Sequence, residues 1–232
     1  GNRQSIVDGA LTKRFQAGQA AHGAVLSAFL AKEGFTGAKN VFSGPYGFYS
    51  MYQPEGHDLS VIVQGLGEEF LGDQMSLKLY PCGRPTHSYI DASVKLHREL
   101  DLGRNSIESV YVRTDPETYT SRYSVSSGVV RPQQQVEAQF SLPYLIGCAL
   151  TLGVVGIDQI NAFDDPSVLA ASALVKAESK EGMPEGWAEI EVMCSEGKSA
   201  SMELEPPSGS PDNPLTSKQL KEKFRDCAAH AL

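Results

Sequence analysis

The 232-residue chain has no apolar run approaching the ~20 residues a membrane-spanning helix needs. It has no basic excess: its formal net charge is −8, which argues against a nucleic-acid partner, since such a partner wants a basic face. A small anion is not excluded, because a few local cations outweigh a distant negative surface. The four cysteines, Cys82, Cys148, Cys194 and Cys227, include no CxxC pair, so neither a zinc ribbon nor a thioredoxin-type motif is present. Their wide spacing predicts buried free thiols of a reduced compartment. HExxH and any Ser/His/Asp order are missing, as are internal repeats and low-complexity tracts. Gly1-Asn2-Arg3-Gln4-Ser5 is not a signal peptide and carries no Met, which predicts a processed chain or a fragment.

What is present is enough apolar residue, 41%, for a packed core. Ala20, Ala21, Ala24, Val25, Ala28 and Phe29 recur at helical spacing, predicting a helix over 18–32 that Gly34 ends. Residues 35–52 read as a loop with short helical turns, and 58–67 as a further short helix. Met75 to Tyr80 alternates like a strand and stops at Pro81. A helix follows over 86–100 with Thr86 as its cap, then a strand over 107–113. Residues 136–152 form a buried helix in which Pro143 marks a kink or break. Asp165-Pro166 opens a helix to Leu174. Residues 187–194 and 199–204 flank Ser195-Glu196-Gly197-Lys198 as a hairpin, and Thr216 caps a last helix to Ala231. Helices and strands mix without regular βα alternation. The expected class is therefore α+β, an antiparallel sheet packed by helices, after a first ~70 residues that are helical only.

Three segments carry chemistry. Lys13 and Arg14 precede a helix of small residues, and Gly18 admits close approach of a ligand or backbone; a solvated basic pair is the competing reading. The densest constellation is Lys78, Tyr80, Cys82, Arg84 and His87 around a Pro/Gly turn. Such a turn can gather N–H groups, two cations and an imidazole around a carboxylate. A Lys or His there can remove a proton α to a carboxylate where burial or a neighbouring cation lowers its pKa. The alternative is a tight connection whose polar residues only cap the helix. Arg131 has the fork to clamp a carboxylate, or is a surface residue. His22 reads as an ordinary core or surface histidine, and Gly65-Leu66-Gly67 is too short for a nucleotide loop.

Taken together, these segments resemble the MmgE/PrpD family. Lys13-Arg14-Phe15-Gln16-Ala17-Gly18-Gln19-Ala20-Ala21 is similar to its Lys-Arg-Phe/Leu-His-x-Gly-x-Ala-Ala motif, and Gly34-Phe35-Thr36-Gly37 to the tetrapeptide that follows. Lys78-Leu79-Tyr80-Pro81 with Thr86-His87 and Asp91-Ala92 resembles the family's Lys-x-Tyr/Phe-Pro…Thr-His…Asp-Ala signature. Glu137 to Tyr144 and Asp212-Asn213-Pro214-Leu215-Thr216 fit as well.

The resemblance implies part of an all-helical domain over 1–73, an α+β lid domain over 74–208 and a return to the helical domain over 209–232. It implies a lyase or isomerase of small polycarboxylic acids, 2-methylcitrate dehydratase-like or epimerase-like, working without metal or organic cofactor. Lys13, Lys78 and His87 match as catalytic residues; Arg14, Tyr80, Arg84 and Arg131 are assigned to substrate carboxylates. Gln16 replaces a His of many relatives, and Gly83 stands where the cis-aconitate decarboxylase branch carries a catalytic His. The family's long N-terminal helical region is absent from this sequence, so an N-terminal partner polypeptide or a homo-oligomer is expected. A non-catalytic polycarboxylate-binding or assembly module is the alternative. The expected location is the cytoplasm, or the mitochondrial matrix of a eukaryote.

Overall fold

The computed structural model describes residues 8, 10–53, 55–103, 106–124, 130–204 and 206–230. The opening Gly1-Asn2-Arg3-Gln4-Ser5 and Ala231, on which the expected chain start and last helix end fall, lie outside the described residues. The chain divides into two compact units: a smaller one, Arg14–Asp73, and a larger one that runs from Gln74 onward and includes Lys13.

The larger unit is built around two buried helices and a sheet. Helix α3 (His87–Glu99) and helix α5 (Leu142–Leu152) turn Tyr89, Ala92 and Leu96, and Leu142, Ile146 and Leu150, onto the sheet. The sheet answers with the inward residues of β1 (Ile107–Thr114), β2 (Val175–Ser179), β3 (Ala188–Cys194) and β4 (Ser199–Leu204). Period-two alternation puts Val110 and Val112 on the core face and Tyr111 and Arg113 on the other. On the far side of the helices a second apolar cluster joins Ile90, Leu145 and Cys148 to Ala138 of α4 (Gln135–Phe140), Ile160 of α6 (Ile157–Asn161) and Val168 of α7 (Pro166–Ala173). A Cβ on Gly147 would lie 2.4 Å from Ser172 Oγ, so α5 and α7 pack at a distance only glycine allows. The chain ends in helix α8 (Ser217–Ala229), opened by Thr216, whose hydroxyl accepts from Gln219 N–H at 3.2 Å.

The strand order is β2-β1-β3-β4. β1–β3 and β3–β4 pair antiparallel, but β1–β2 pair parallel, Val110 opposite Val175. The α+β class holds, and the sheet is mixed where an antiparallel one was expected. β2 is short and half-exposed, with no alternation long enough to read from sequence; it exists because α4 to α7 form a crossover that returns the chain alongside β1.

Other expectations shift locally. Met75–Tyr80 is not a strand: Leu77 N–H donates to Gly209 O at 2.8 Å, no neighbouring strand pairs the segment, and Met75 and Leu77 stay exposed. The break near Pro143 falls at Ser141, which ends α4 and caps α5 by accepting from Tyr144 N–H; Pro143 sits in the first turn, where its missing N–H costs nothing. Three of the four cysteines are buried free thiols, but Cys227 is exposed on α8.

The smaller unit contains α1 (Thr12–Lys32) from Arg14 onward, α2 (Phe48–Tyr52) and short 3-10 turns, with no strand among its described residues. The helix starts at Thr12, six residues before Gly18, and ends in a Schellman arrangement: Gly34 (φ +87°) donates to Ala31 O and Phe35 N–H to Leu30 O. Residues 58–67 hold only the turn Leu59–Ile62, capped by Asp58. No residue of α1 is buried.

Candidate functional site

Around Pro81 the backbone cannot continue as ladder or helix, so it folds into a turn that closes on itself. Lys78 Nζ donates to Cys82 O at 3.0 Å, and Gly83 N–H to Gln139 O at 3.0 Å. A 3-10 turn, Arg84–Thr86, leads directly into α3. Thr86 does not cap α3 with its side chain; its hydroxyl donates to Gly83 O at 2.8 Å and lies 3.4 Å from Cys82 Sγ. This turn puts His87 at the first position of α3, fully buried, its ring meeting the Tyr80 ring edge-on at 5.2 Å.

Tyr80 and Arg84 are engaged by the protein itself. Tyr80 Oη donates to Asp91 Oδ1 at 2.6 Å, while Asp91 Oδ2 accepts Ser208 N–H at 2.8 Å. Arg84 donates to Ser208 O at 3.2 Å and to Ser210 Oγ at 2.6 Å. The connector before α8 is thereby tied to the start of α3. Having given its proton to Asp91, the Tyr80 oxygen is left as an acceptor, a poor partner for a carboxylate.

The two ring nitrogens of His87 are buried and meet no hydrogen-bond partner. Burial first, then Arg84, Lys78 and Lys223, push its pKa down to about 3; the Cys82 backbone pulls weakly the other way without the geometry of a bond to either nitrogen. The imidazole is therefore neutral at pH 7. Burial also lowers the Lys78 pKa, and Lys13, Arg122 and Arg84 lower it further, against an opposing pull from Cys82. The Cys82 thiol is pushed up to about 11 by burial and stays protonated. The region is thus a neutral imidazole and a neutral thiol among several cations, with the Asp91 carboxylate acting on Arg84; a further anion would relieve the repulsion felt by Lys78.

The structure brings Lys78, Tyr80, Arg84 and His87 together, and Lys13 joins them, its Nζ 5.3 Å from the centre of the Phe140 ring. Arg14 groups with the smaller unit and is exposed. Arg131 is exposed, its carbonyl accepting from the Gln133 side chain at 3.1 Å. The sequence reading left out four residues. Asp91 is the acceptor for Tyr80, and Lys223 of α8 donates to Leu79 O at 3.4 Å. Arg122 is buried with its guanidinium 5.1 Å from the Phe140 ring centre. Asp91 lay inside the quoted Asp-Ala pair. Nothing periodic marks Arg122, Phe140 or Lys223. A groove of about 610 Å³ lies elsewhere, on the outer sheet face between Tyr111, Lys176, Glu178 and Glu191; it contains none of the expected site residues. Its Arg113–Glu178 and Arg113–Glu189 pairs make it a solvated, salt-bridged face. Among the described residues no group of three or more His, Cys, Asp or Glu could hold a metal ion, and no helix is long and apolar enough to cross a membrane.

Comparison with known proteins adds to this geometry. The MmgE/PrpD C-terminal domain matches residues 80–232, and the MmgE/PrpD N-terminal domain matches residues 1–58. A cis-aconitate decarboxylase-like protein, oryM, of Aspergillus oryzae is 26% identical over 96% of this chain and 49% of its own length. A cis-aconitate decarboxylase of Aspergillus terreus is 25% identical over 95% of this chain and 48% of its own length. The chain spans about half the length of the curated relatives it matches.

Proposed function

Since the chain belongs to the MmgE/PrpD family, we propose that it serves a lyase or isomerase reaction on a small polycarboxylic acid, without a cofactor. The observation that carries this reading is the buried, neutral, unpartnered His87 among Lys13, Lys78 and Arg84. In the proposed reaction Lys78 and Lys13 take substrate carboxylates. The arriving negative charge raises the basicity of His87, whose imidazole then accepts the proton from the carbon α to a carboxylate. The enolate-like charge is held by the same ammonium groups. Loss of a β-hydroxyl as water gives a dehydratase, and return of the proton on the opposite face gives an epimerase. Where a carboxylate leaves as CO₂ instead, its electron pair stays on carbon, and His87 would first take a proton from solvent as the substrate's charge raises its basicity and then pass that proton to the carbon. The relatives' printed names favour this last branch. Gly83, which offers no side chain, favours the other two. Tyr80 and Arg84 serve in this scheme by holding the turn and connector in place, and Arg131 remains an outer carboxylate contact.

A second reading has its own observation. The smaller unit exposes most of its large apolar residues, which fits a module that binds polycarboxylate or assembles with another polypeptide without turning substrate over. The two separate in D₂O. Citrate, 2-methylcitrate and cis-aconitate are incubated with the protein and followed by NMR. Catalysis incorporates deuterium at an α carbon or releases product, and Lys78→Ala lowers the rate at least ~100-fold. Ligand binding with neither signal selects the module. Undiminished turnover by Lys78→Ala removes Lys78 from the mechanism.

A further inference from the structure

We infer that Arg122 is a specificity-determining carboxylate clamp of this site, and that it recognises an additional carboxylate beyond those held by the lysines. The inference rests on the proposed polycarboxylate reading. Four observations carry it. Arg122 is 7% exposed, so its charge is withdrawn from bulk water; its Nη1 donates to Ser121 O at 3.0 Å, while its buried Nε makes no hydrogen bond. It lies in a π-helical turn, Tyr119–Ser124, a backbone form that recurs at functional sites. Its guanidinium and the Lys13 ammonium both sit over one apolar ring, Phe140, at 5.1 and 5.3 Å. Finally, Arg122 works with Lys13 and Arg84 to lower the Lys78 pKa. Like charges gathered on a shared phenyl ring repel one another, and a polyanion removes that repulsion.

Geometry explains why this position depends on residue 83. A Cβ on Gly83 would lie 3.2 Å from Arg122 Nε and 3.3 Å from Phe140 Cδ1. The absence of a side chain at 83 therefore lets the guanidinium and the ring pack against the turn that carries Lys78 and His87. A planar fork there matches a carboxylate bidentately, as an ammonium does not. Substrates with three carboxylates would then be favoured over those with two.

The test is calorimetric titration of the protein with citrate and with succinate. The expected result is that Arg122→Gln weakens citrate about 10- to 100-fold, toward succinate, and leaves succinate within about 2-fold. Lys78→Gln should weaken both. If Arg122→Gln does not fold, Arg122→Lys keeps the charge without the fork and should lose at least about 5-fold for citrate alone. Gly83→Ala, which crowds the guanidinium, should lower citrate affinity in the same selective way. Equal loss for both acids, or none for either, with Lys78→Gln still weakening both, overturns the role of Arg122 and leaves the polycarboxylate reading standing. Failure of the unaltered protein to bind either acid overturns that reading, and this inference with it.

Discussion

At the scale of single residues, His87 makes stability depend on pH in a way that can be isolated. Its imidazole is neutral in the fold, with a pKa of about 3 against an ordinary 6.5, because burial and the surrounding cations disfavour the charged form. The unfolded chain therefore binds more protons than the folded one between those values. Stability is complete above about pH 6.5 and falls as pH drops toward 3, by about 2 kcal/mol between pH 6.5 and 5 from this group alone. Urea unfolding of the protein and of His87→Gln at both pH values measures it: the variant should lack that part of the slope. Equal slopes would mean that the histidine titrates normally in the fold. The residues that share its surroundings divide by how they could be read. Lys78, Tyr80, Arg84 and His87 lie within one ten-residue stretch, so a turn and a helix start were enough to foretell their meeting. Arg122, Phe140 and Lys223 reach the same place from three distant elements, and no local pattern encodes a long-range approach. Tyr80 and Arg84 could be read as near the site, but not as bound to Asp91 and Ser210 instead of a ligand.

Among elements, legibility followed local chemistry. α5, α7 and the β3–β4 hairpin were readable because caps, a proline and strict alternation mark them, and α3 because its apolar residues recur at helical spacing although Thr86 does not cap it. β2 and the false strand at Met75–Tyr80 were not, because a strand is decided by whether a neighbour pairs with it. β2 has β1 beside it; the Met75 stretch meets only a connector. The last helix offers a prediction at this scale. His230, just after α8, reaches Asp158 of α6 with Nε2 at 2.8 Å, and its Nδ1 lies 2.8 Å from Asp226 O. The hydrogen bond to Asp158 first, then Asp226, raises the His230 pKa above 6.5. A raised pKa means that protonation favours the docked helix. The contribution is fully present below pH 6.5 and is lost as pH rises through the elevated value. Hydrogen exchange of α8, corrected for the intrinsic rate, should therefore quicken above neutrality. His230→Gln should make it independent of pH in that window. A wild-type profile as flat as the variant's would show that Asp158 does not hold the helix.

For the whole molecule, the contrast between the two units decides what is expected of it. The larger unit buries two continuous apolar clusters around α3 and α5. In the smaller one, Phe15, Phe29, Phe42, Tyr52, Leu66 and Phe70 are all more than 60% exposed. Most helical stability in proteins comes from burying an apolar face, and no residue of α1 is buried. A unit that buries so little cannot offset the entropy of ordering its chain. Surface from another polypeptide would supply the missing burial, as proposed above, and the curated relatives carry about as much chain again as this one spans. The protein by itself should therefore exchange amide hydrogens quickly across residues 14–73 and slowly in α3, α5, β1 and β3. It should also bind an apolar dye such as ANS, and either self-associate or bind a second polypeptide through this unit. Phe29→Glu places a charge on α1 and should reduce both dye binding and association while leaving the melting of the larger unit unchanged. Slow exchange throughout 14–73 in a dye-silent monomer would show that the smaller unit is stable alone, and would remove the physical ground for a partner.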